Sequence, residues 1–294
     1  MITKSNLTKH QRKAYDQLIE EHRLLDNTER PQAKLTGEAG TGKSFLVQAI
    51  AHAAEEKGMQ VIMSAPTHQA KGVLKSMASG LEALVMTTHS MLGLTMKGDG
   101  KGGYKIVRDK YENVKVPHTN TLIVVDESSM VGHELWDYIQ ESKEETLNSW
   151  LFVGDMGQLP PVSSADEDIK MSPALEQPGP TLSELYRQKE GSILGSVVTR
   201  IRHKEQWTPF TGLREDENGE KFGVKITSSE ELFAATARAR FKVTEKRPDW
   251  KTKPFSAQIL AYTNRRVIDW ADKMLTSIHG YEEQYPVGEW LTMH

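Results

Sequence analysis

The sequence predicts an α/β protein built on a parallel β-sheet. Four short apolar runs suit buried strands, helical stretches separate them, and a polar motif follows each run. Strands that are buried on both faces read as continuous apolar runs, and parallel strands need long, commonly helical connections. Ligands of such sheets lie beyond the carboxyl ends of the strands. We therefore expect the functional residues along one edge of the sheet.

The first predicted strand leads into a glycine-rich loop. Residues 32–36 read as a strand, and residues 43–54 carry apolar side chains at helical spacing. Glycines let backbone N–H groups turn towards phosphate oxygens, and the following helix N-terminus favours the same anions. A chance match is disfavoured, because strand, loop and helix occur in the order that a phosphate-binding P-loop requires. We expect Lys43 to reach the β and γ phosphates of a nucleoside triphosphate and Ser44 to ligate Mg²⁺. The loop consists of Gly37, Glu38, Ala39, Gly40, Thr41, Gly42, Lys43 and Ser44.

Three later apolar runs complete the predicted sheet, and a helix over residues 68–79 follows the first of them. Their positions agree with parallel strands that are joined by helices. The runs and the motifs after them are 60–65 with Pro66-Thr67, 121–125 with Asp126-Glu127, and 150–153 with Gly154-Asp155.

Two acids at the end of the third run suit a nucleotide site. An apolar run that ends in acids is common at a protein surface, but downstream of a P-loop it is typical of a Walker B pair. We expect Asp126 to hold Mg²⁺ at the tip of its strand. Glu127, one residue later, is expected to orient and deprotonate the water that attacks the γ phosphate.

Residues 93–116 interrupt the alternation of strands and helices. Glycines recur between 93 and 103, and residues 104–108 alternate like an exposed strand. This pattern predicts a small β-hairpin inserted into the sheet domain, with a surface loop as the alternative.

A second α/β domain is predicted from residue 186 onwards. At 294 residues the chain is longer than one ordinary domain. A polar loop over 163–180 precedes the boundary, and residues 254–262 read as a buried strand of the second part. The predicted domains are 1–185 and 186–294, with second-domain helices at 189–203, 230–241 and 264–278.

Composition narrows the class of protein. The chain is 37% hydrophobic and 26% charged, as in soluble globular proteins. No apolar run approaches the roughly 20 residues of a membrane span, and the N-terminus lacks the apolar core of a secretory signal. We expect an intracellular protein with no membrane partner. The lack of cysteine excludes disulfides and thiolate catalysis. The net charge of −3 gives no general attraction to nucleic acid, so any binding of nucleic acid would have to come from a local groove.

Four motifs in order resemble those of superfamily-1 DNA helicases, in particular the RecD-like branch with its phage Dda-like members. The likeness extends from about Leu7 to the last residue. The motifs occupy residues 37–44, 65–71, 126–130 and 154–162.

The resemblance implies a fold and a function. The fold would be a RecA-like first domain, an incomplete second RecA-like domain, and a hairpin that acts as a pin to split the duplex. The function would be an ATP- and Mg²⁺-dependent helicase or translocase that moves 5′ to 3′ on single-stranded DNA in replication or recombination. It also implies the cytoplasm of a bacterium or phage-infected host cell, and replication proteins such as a single-strand-binding protein as partners.

The same resemblance assigns three further residues to the nucleotide site. Gln11 is similar to the glutamine that reads adenine, and an amide can donate and accept at once. Gln158 is similar to a glutamine that senses the γ phosphate and links it to the DNA groove. Arg187 is similar to an arginine that reaches the γ phosphate from the start of the second domain, where a guanidinium offsets transition-state charge.

Several residues fall where the family holds the backbone of single-stranded DNA. Contacts of this kind carry no sequence information, as a translocating motor requires. Taken alone, each residue is more simply interpreted as a helix cap or a solvated turn, and only its place after a strand of the family's core favours a DNA contact. The candidates are Pro66, Thr67, His68, Thr88, His89, Tyr104 in the hairpin, and Thr263 and Asn264 in the second domain.

The later motifs of the family are not found in the sequence. Residues 198–202 resemble the last arginine motif, but they lie in a predicted helix soon after Arg187, and we interpret them as a decoy. The missing motifs favour truncation over a partner chain that supplies the other half. Without the second catalytic arginine, we expect weak ATP hydrolysis from these residues alone.

Two functions of different classes stay open at this point. One is the helicase, and the other is a non-motor, ATP-responsive module that binds single-stranded DNA. A small-molecule kinase is disfavoured, because kinases of that kind lack a segment like residues 154–162 and the Thr-His pairs.

Overall fold

The computed structural model divides the chain into two compact units, Met1–Glu190 and Gly191–His294. It describes residues 2–26, 29–98, 104–108, 116–117, 119–158, 160–161, 171–185, 193–202, 205, 210–215, 221–245, 259 and 264–279.

Strands and helices alternate through most of the first unit, and further strands and helices follow among the described residues of the second unit. The strands are β1 (Gln32–Gly37), β2 (Gln60–Ala65), β3 (Leu84–Thr87), β4 (Leu94–Gly98), β5 (Tyr104–Arg108), β6 (Thr119–Val125), β7 (Leu147–Gly154), β8 (Thr181–Leu182), β9 (Phe210–Glu215) and β10 (Lys221–Ile226). The helices are α1 (Lys9–Asp16), which continues into a π-helical turn at Gln17–Glu21, α2 (Lys43–Glu56), α3 (His68–Met77), α4 (Thr88–Met91), α5 (His133–Glu145), α6 (Ile193–Arg202), α7 (Glu230–Glu245) and α8 (Asn264–His279). Short 3₁₀ turns lie at Lys4–Asn6, Ser128–Met130 and Pro173–Leu175.

Six strands of the first unit form one parallel sheet. Their order is β3-β2-β6-β7-β1-β8, and every neighbouring pair is parallel. All carboxyl ends therefore meet at one edge. The predicted α/β fold with a parallel P-loop sheet is confirmed.

Alternate residues of the central strands face two separate hydrophobic clusters. In β6, Leu122 and Val124 pack in the cluster that includes α2, while Ile123 and Val125 pack in the cluster that includes α5. A strand with a helix on each face must be apolar at successive positions, which explains the unbroken Leu-Ile-Val-Val run. The core thus holds the strand ends, and the motifs on them, in fixed positions.

The inserted segment contains the predicted hairpin. β4 and β5 pair antiparallel, with Leu94 opposite Arg108 and Gly98 opposite Tyr104. Leu94 is buried, and Ile106 packs against the same cluster as α5. The base of the hairpin is therefore part of the core of the first unit.

The described residues of the second unit form an antiparallel pair, β9 and β10, and the helices α6, α7 and α8. Within it, the rings of Phe233 and Trp270 meet edge to face at 5.1 Å, which ties α7 to α8. α7 and α8 begin at the predicted residues, and α7 extends four residues past the predicted end at 241. α6 covers residues 193–202 of the helix predicted at 189–203, and the remaining residues of that prediction lie outside the described residues. The predicted strand at 254–262 lies outside the described residues apart from Ile259.

Among the described residues, no helix has the length and apolar character that crossing a bilayer requires.

Candidate functional site

The P-loop follows β1 and opens α2, as the sequence predicts. Gly40 and Gly42 have φ angles of 92° and 85°, a left-handed region that suits glycine. The Lys43 Nζ donates to the carbonyls of Gly37 and Glu38 at 2.6 and 3.0 Å. The ammonium thus lies over the loop, beside the N–H groups that make the anion-binding concavity.

Two loop residues shape the cradle. The Thr41 hydroxyl donates to the Glu38 carbonyl at 2.8 Å and closes the turn. Gly37 pairs with Leu182 of β8, and a Cβ at Gly37 would lie 2.7 Å from the Leu182 carbonyl oxygen. The loop can approach β8 this closely only with glycine at that position.

The two acids lie at the carboxyl end of β6. The Asp126 N–H donates to the Ser64 carbonyl of β2 at 2.8 Å, and the Asp126 Oδ1 accepts the Glu127 N–H at 2.9 Å. Glu127 has a φ of 52°, which is strained for a residue with a side chain. Strained backbone of this kind is concentrated at functional sites, where it aims a side chain.

Burial dominates the electrostatics of both acids. Desolvation raises the pKa of Asp126, and Lys43 only partly opposes it. Desolvation, with the neighbouring charge of Asp126, also raises the pKa of Glu127. A carboxylate with a raised pKa is a stronger base, which suits the proton acceptor of a hydrolysis reaction.

Gln158 lies between a serine and the second acid. Its Oε1 accepts from the Ser129 hydroxyl at 3.3 Å. Its side chain also acts on Glu127, where it partly opposes the rise in the pKa of that carboxyl. Because an amide has distinct donor and acceptor ends and Ser129 occupies the acceptor end, the donor end is the one available to Glu127.

One cavity of about 620 Å³ brings these groups together. Its lining includes eight of the residues predicted for catalysis, nucleotide binding or metal binding, namely Ala39, Gly40, Gly42, Lys43, Ser44, Asp126, Glu127 and Gln158. It also contains five that sequence reasoning did not assign, namely Phe45, Gln48, Val73, Gly154 and Asp155. The sequence does contain a signal for Asp155, because this acid follows an apolar run just as Asp126 does. No sequence pattern indicates that Val73 lines the cavity.

Gln11 lies on the other side of the P-loop. It is 4% exposed, and its Nε2 lies 3.5 Å from the Gly42 carbonyl. It also caps α1, because its Oε1 accepts the Thr8 N–H and its own N–H donates to the Thr8 hydroxyl. Gln11 therefore combines a helix-capping role, which the sequence did not predict, with a position against the phosphate loop. The neighbouring His10 connects α1 to the end of β8, because its Nε2 accepts the Ser183 N–H at 3.1 Å.

The chemistry of the donor set fits a magnesium nucleotide. Ser44 offers a hydroxyl in the first turn of α2, and Asp126 offers a carboxylate to the same cavity. Mg²⁺ prefers oxygen ligands and is held by one or two carboxylates together with substrate phosphates.

Five DNA-contact candidates of the first unit lie at or just after the ends of two neighbouring strands, β2 and β3. Thr67 caps α3, since its hydroxyl accepts the Ala70 N–H at 3.2 Å, and His68 beside it is exposed. At the end of β3, burial lowers the pKa of the half-buried His89, against an opposing effect of Glu134. Pro66 is half-buried at the end of β2.

Thr88 differs from the other candidates. It is 0% exposed, and its hydroxyl donates to the Ser64 hydroxyl at 3.4 Å inside the protein. A buried side chain offers no surface to DNA, so we omit Thr88 from the proposed contacts. Arg187 and Thr263 lie outside the described residues, and Tyr104 and Asn264 are described only as the first residues of β5 and α8.

Comparison with known proteins agrees with the geometry. The profile of the family described as AAA domain matches residues 6–217, more than half of the chain. The chain is 33% identical over 204 residues to the ATP-dependent RecD2 DNA helicase of Deinococcus radiodurans, covering 69% of this chain and 25% of that protein. It is 23% identical over 299 residues to the ATP-dependent DNA helicase dda of Enterobacteria phage T4, covering 99% of this chain and 62% of that protein.

Among solved structures, the Pif1 helicase from Candida albicans matches 83% of this chain and 56% of its own, at 21% identity and a TM-score of 0.49. The chain spans a quarter of the RecD2 relative and under two thirds of the dda relative. It belongs to the AAA domain family, and its predicted resemblance to the RecD-like superfamily-1 helicases is confirmed.

Proposed function

We propose that this chain works as an ATP-dependent DNA helicase or translocase on single-stranded DNA. The observation that carries the proposal is the cavity that holds Lys43, both acids and Gln158 together. The two relatives named above are ATP-dependent DNA helicases, which supports the same assignment. The resemblance adds movement from 5′ to 3′ and a role in replication or recombination. The cysteine-free sequence fits the reducing cytoplasm.

Each group in the cavity has a part in phosphoryl transfer to water. The reaction forms a bond between water oxygen and the γ phosphorus and breaks the bond from that phosphorus to the ADP oxygen. Lys43 and the loop N–H groups bind the phosphates, and Glu127 accepts the proton of the attacking water. Bound Mg²⁺, held by Ser44 and Asp126, would supply charge neutralisation.

Two further groups adjust this reaction. Gln158, whose side chain lowers the pKa of Glu127, is proposed to position that carboxylate, so that a shift of the segment after β7 moves the base. Arg187 is proposed, on the resemblance alone, to complete the site at the γ phosphate. Gln11 is proposed as the reader of adenine on the resemblance, and the position of its Nε2 3.5 Å from the Gly42 carbonyl of the P-loop supports a place beside the nucleotide.

The DNA strand is proposed to cross the carboxyl ends of β2 and β3. Pro66, Thr67, His68 and His89 lie there, at strand ends that pair directly. Contacts from such residues to phosphates and sugars do not depend on base sequence, as translocation requires. Tyr104, Thr263 and Asn264 stay proposed contacts on the resemblance alone, as does a single-strand-binding protein as partner.

Strand separation tests the proposal directly. A duplex with a 5′ single-stranded tail and a matched duplex with a 3′ tail are each incubated with protein, Mg²⁺ and ATP, and with no ATP as control. We expect ATP-dependent unwinding of the 5′-tailed duplex. ATP-responsive binding to the tail with no unwinding of either substrate would contradict the helicase and favour the non-motor DNA-binding module.

A further inference from the structure

The hairpin of β4 and β5 is buried at its base and exposed at the far end of β4. Leu94 and Ile106 pack in the cluster that includes α5, whereas Lys97 and Gly98 are exposed. A two-stranded hairpin is marginally stable by itself. Its direction therefore depends on the contacts that its base makes with the rest of the first unit.

One stripe of α5 faces β5. Glu134, Tyr138 and Glu141 recur at the spacing that puts residues on one helix face. Glu134 Oε1 accepts the N–H of Ile106 at 3.2 Å, on the edge of β5 that does not pair with β4. The Arg108 guanidinium lies 2.7 Å from Glu141 Oε2 and 5.7 Å from the centre of the Tyr138 ring.

The opposite face of α5 is fixed to the sheet. Leu135 and Ile139 are buried in the same cluster as β7, and the ring of Trp136 meets Phe152 edge to face at 5.2 Å. A continuous line of contacts thus leads from the central sheet through α5 to the outer strand of the hairpin.

Glu134 also acts on the DNA-contact candidate His89. Its negative charge opposes the effect of burial on the pKa of that imidazole. One carboxylate therefore lies near both the hairpin backbone and α4, which precedes the hairpin in the chain. The hairpin backbone and the His89 imidazole are thus both influenced by this one carboxylate.

We propose that Glu134, Tyr138 and Glu141 form a mount for the hairpin and act, with Arg108, as positioning residues for strand separation. The inference rests on the proposed helicase function. A hairpin that divides a duplex must resist the load that the motor applies to it. The mount supplies that resistance without contacting the nucleotide, so its loss should uncouple unwinding from ATP hydrolysis.

Matched variants test the mount. E141Q removes the partner of Arg108 at 2.7 Å, and E29Q removes a partner of Arg23 at the same distance elsewhere in the first unit. For E141Q, we expect about three- to tenfold less duplex unwound per ATP hydrolysed, with ATP hydrolysis on single-stranded DNA unchanged. E29Q should match wild type in both. The double variant R108E/E141R restores the ion pair and should recover part of the loss.

Hydrogen exchange separates failure of the mount from failure of the helicase. In E134A, the amides of residues 104–108 should exchange about three- to tenfold faster than in wild type, because Ile106 loses its acceptor. Unchanged exchange in E134A, or unchanged unwinding per ATP in E141Q, would overturn the mount. If wild type does not hydrolyse ATP on single-stranded DNA, the proposed function fails, and exchange in E134A alone decides whether α5 anchors the hairpin.

Discussion

At the scale of the residue, the site depends on ionisable groups that burial has perturbed. Asp126 and Glu127 follow one another at a strand end, and desolvation raises the pKa of each. Glu127 also occupies a strained backbone conformation, with φ at 52°. Such features lower the stability of the fold and persist where a function maintains them.

The first prediction follows from the pKa of Asp126. A folded-state pKa above the unfolded value means that the folded protein binds the proton more tightly, so the ionised carboxylate costs stability at neutral pH. This cost disappears as the pH falls through the folded-state pKa. D126N removes the charge and retains an oxygen to accept the Glu127 N–H, so the melting temperature at neutral pH without nucleotide should rise.

The same variant should lose activity. Without the carboxylate that holds Mg²⁺, ATP hydrolysis should fall by at least about 100-fold. D137N provides the control, because Asp137 is exposed on α5, and its melting temperature should stay close to wild type. A lower melting temperature for D126N than for wild type would show that Asp126 stabilises the fold.

At the scale of the element, the central strands carry the stability of the first unit. Phe152 of β7 is fully buried, and its ring contacts Trp136 on α5 and stacks near Trp150 at 6.2 Å. Removing such a ring leaves a cavity that neighbours on two elements cannot fill.

F152A should therefore destabilise the first unit by about 3–5 kcal/mol in chemical denaturation. L147A on the same strand is the matched control, because Leu147 is 38% exposed, and we expect a loss of less than about 1 kcal/mol. Equal losses for the two variants would contradict the assignment of this core.

The strands and helices also show what could be read from the sequence. β2 was predicted with its observed ends, because both faces are covered and every position except the first is buried. β7 begins at Leu147, three residues before the predicted start, because the polar Asn148 is buried and its Oδ1 accepts the Thr121 N–H. A polar residue whose side chain is buried and hydrogen-bonded inside a sheet interrupts the apolar pattern, so its segment resembles a loop in the sequence.

Several elements were not predicted, and two of them, β8 and α5, show different reasons. β8 has two residues, which are too few to show any periodicity in the sequence. It forms a strand because its backbone pairs with β1. α5 does have a pattern, with Leu135 and Ile139 four residues apart, and this signal could have been used. Among the site residues, the P-loop and acids follow from motif chemistry, whereas Val73 reaches the cavity only through the packing of α3.

At the scale of the whole molecule, strand order puts the proposed DNA contacts beside the nucleotide site. The strand order is β3-β2-β6-β7-β1-β8. The DNA-contact candidates lie at the ends of β3 and β2, and the two acids lie at the end of the next strand, β6. Gln158 follows β7, and the P-loop follows β1. Ser64 connects the two regions, since its hydroxyl accepts from Thr88 and donates to Val124 while its carbonyl accepts the Asp126 N–H. This buried link explains why Thr88 is inside the protein.

The most direct measurement of the central claim is ATP hydrolysis with and without single-stranded DNA, in wild type and in K43A. Lys43 lies over the loop that binds the phosphates, so its loss should remove transition-state stabilisation without disturbing the buried core. We expect single-stranded DNA to increase the wild-type rate, and K43A to reduce the DNA-stimulated rate by at least about 100-fold. Unchanged DNA-stimulated hydrolysis in a folded K43A variant would contradict the assignment of this cavity as the site that powers movement on DNA.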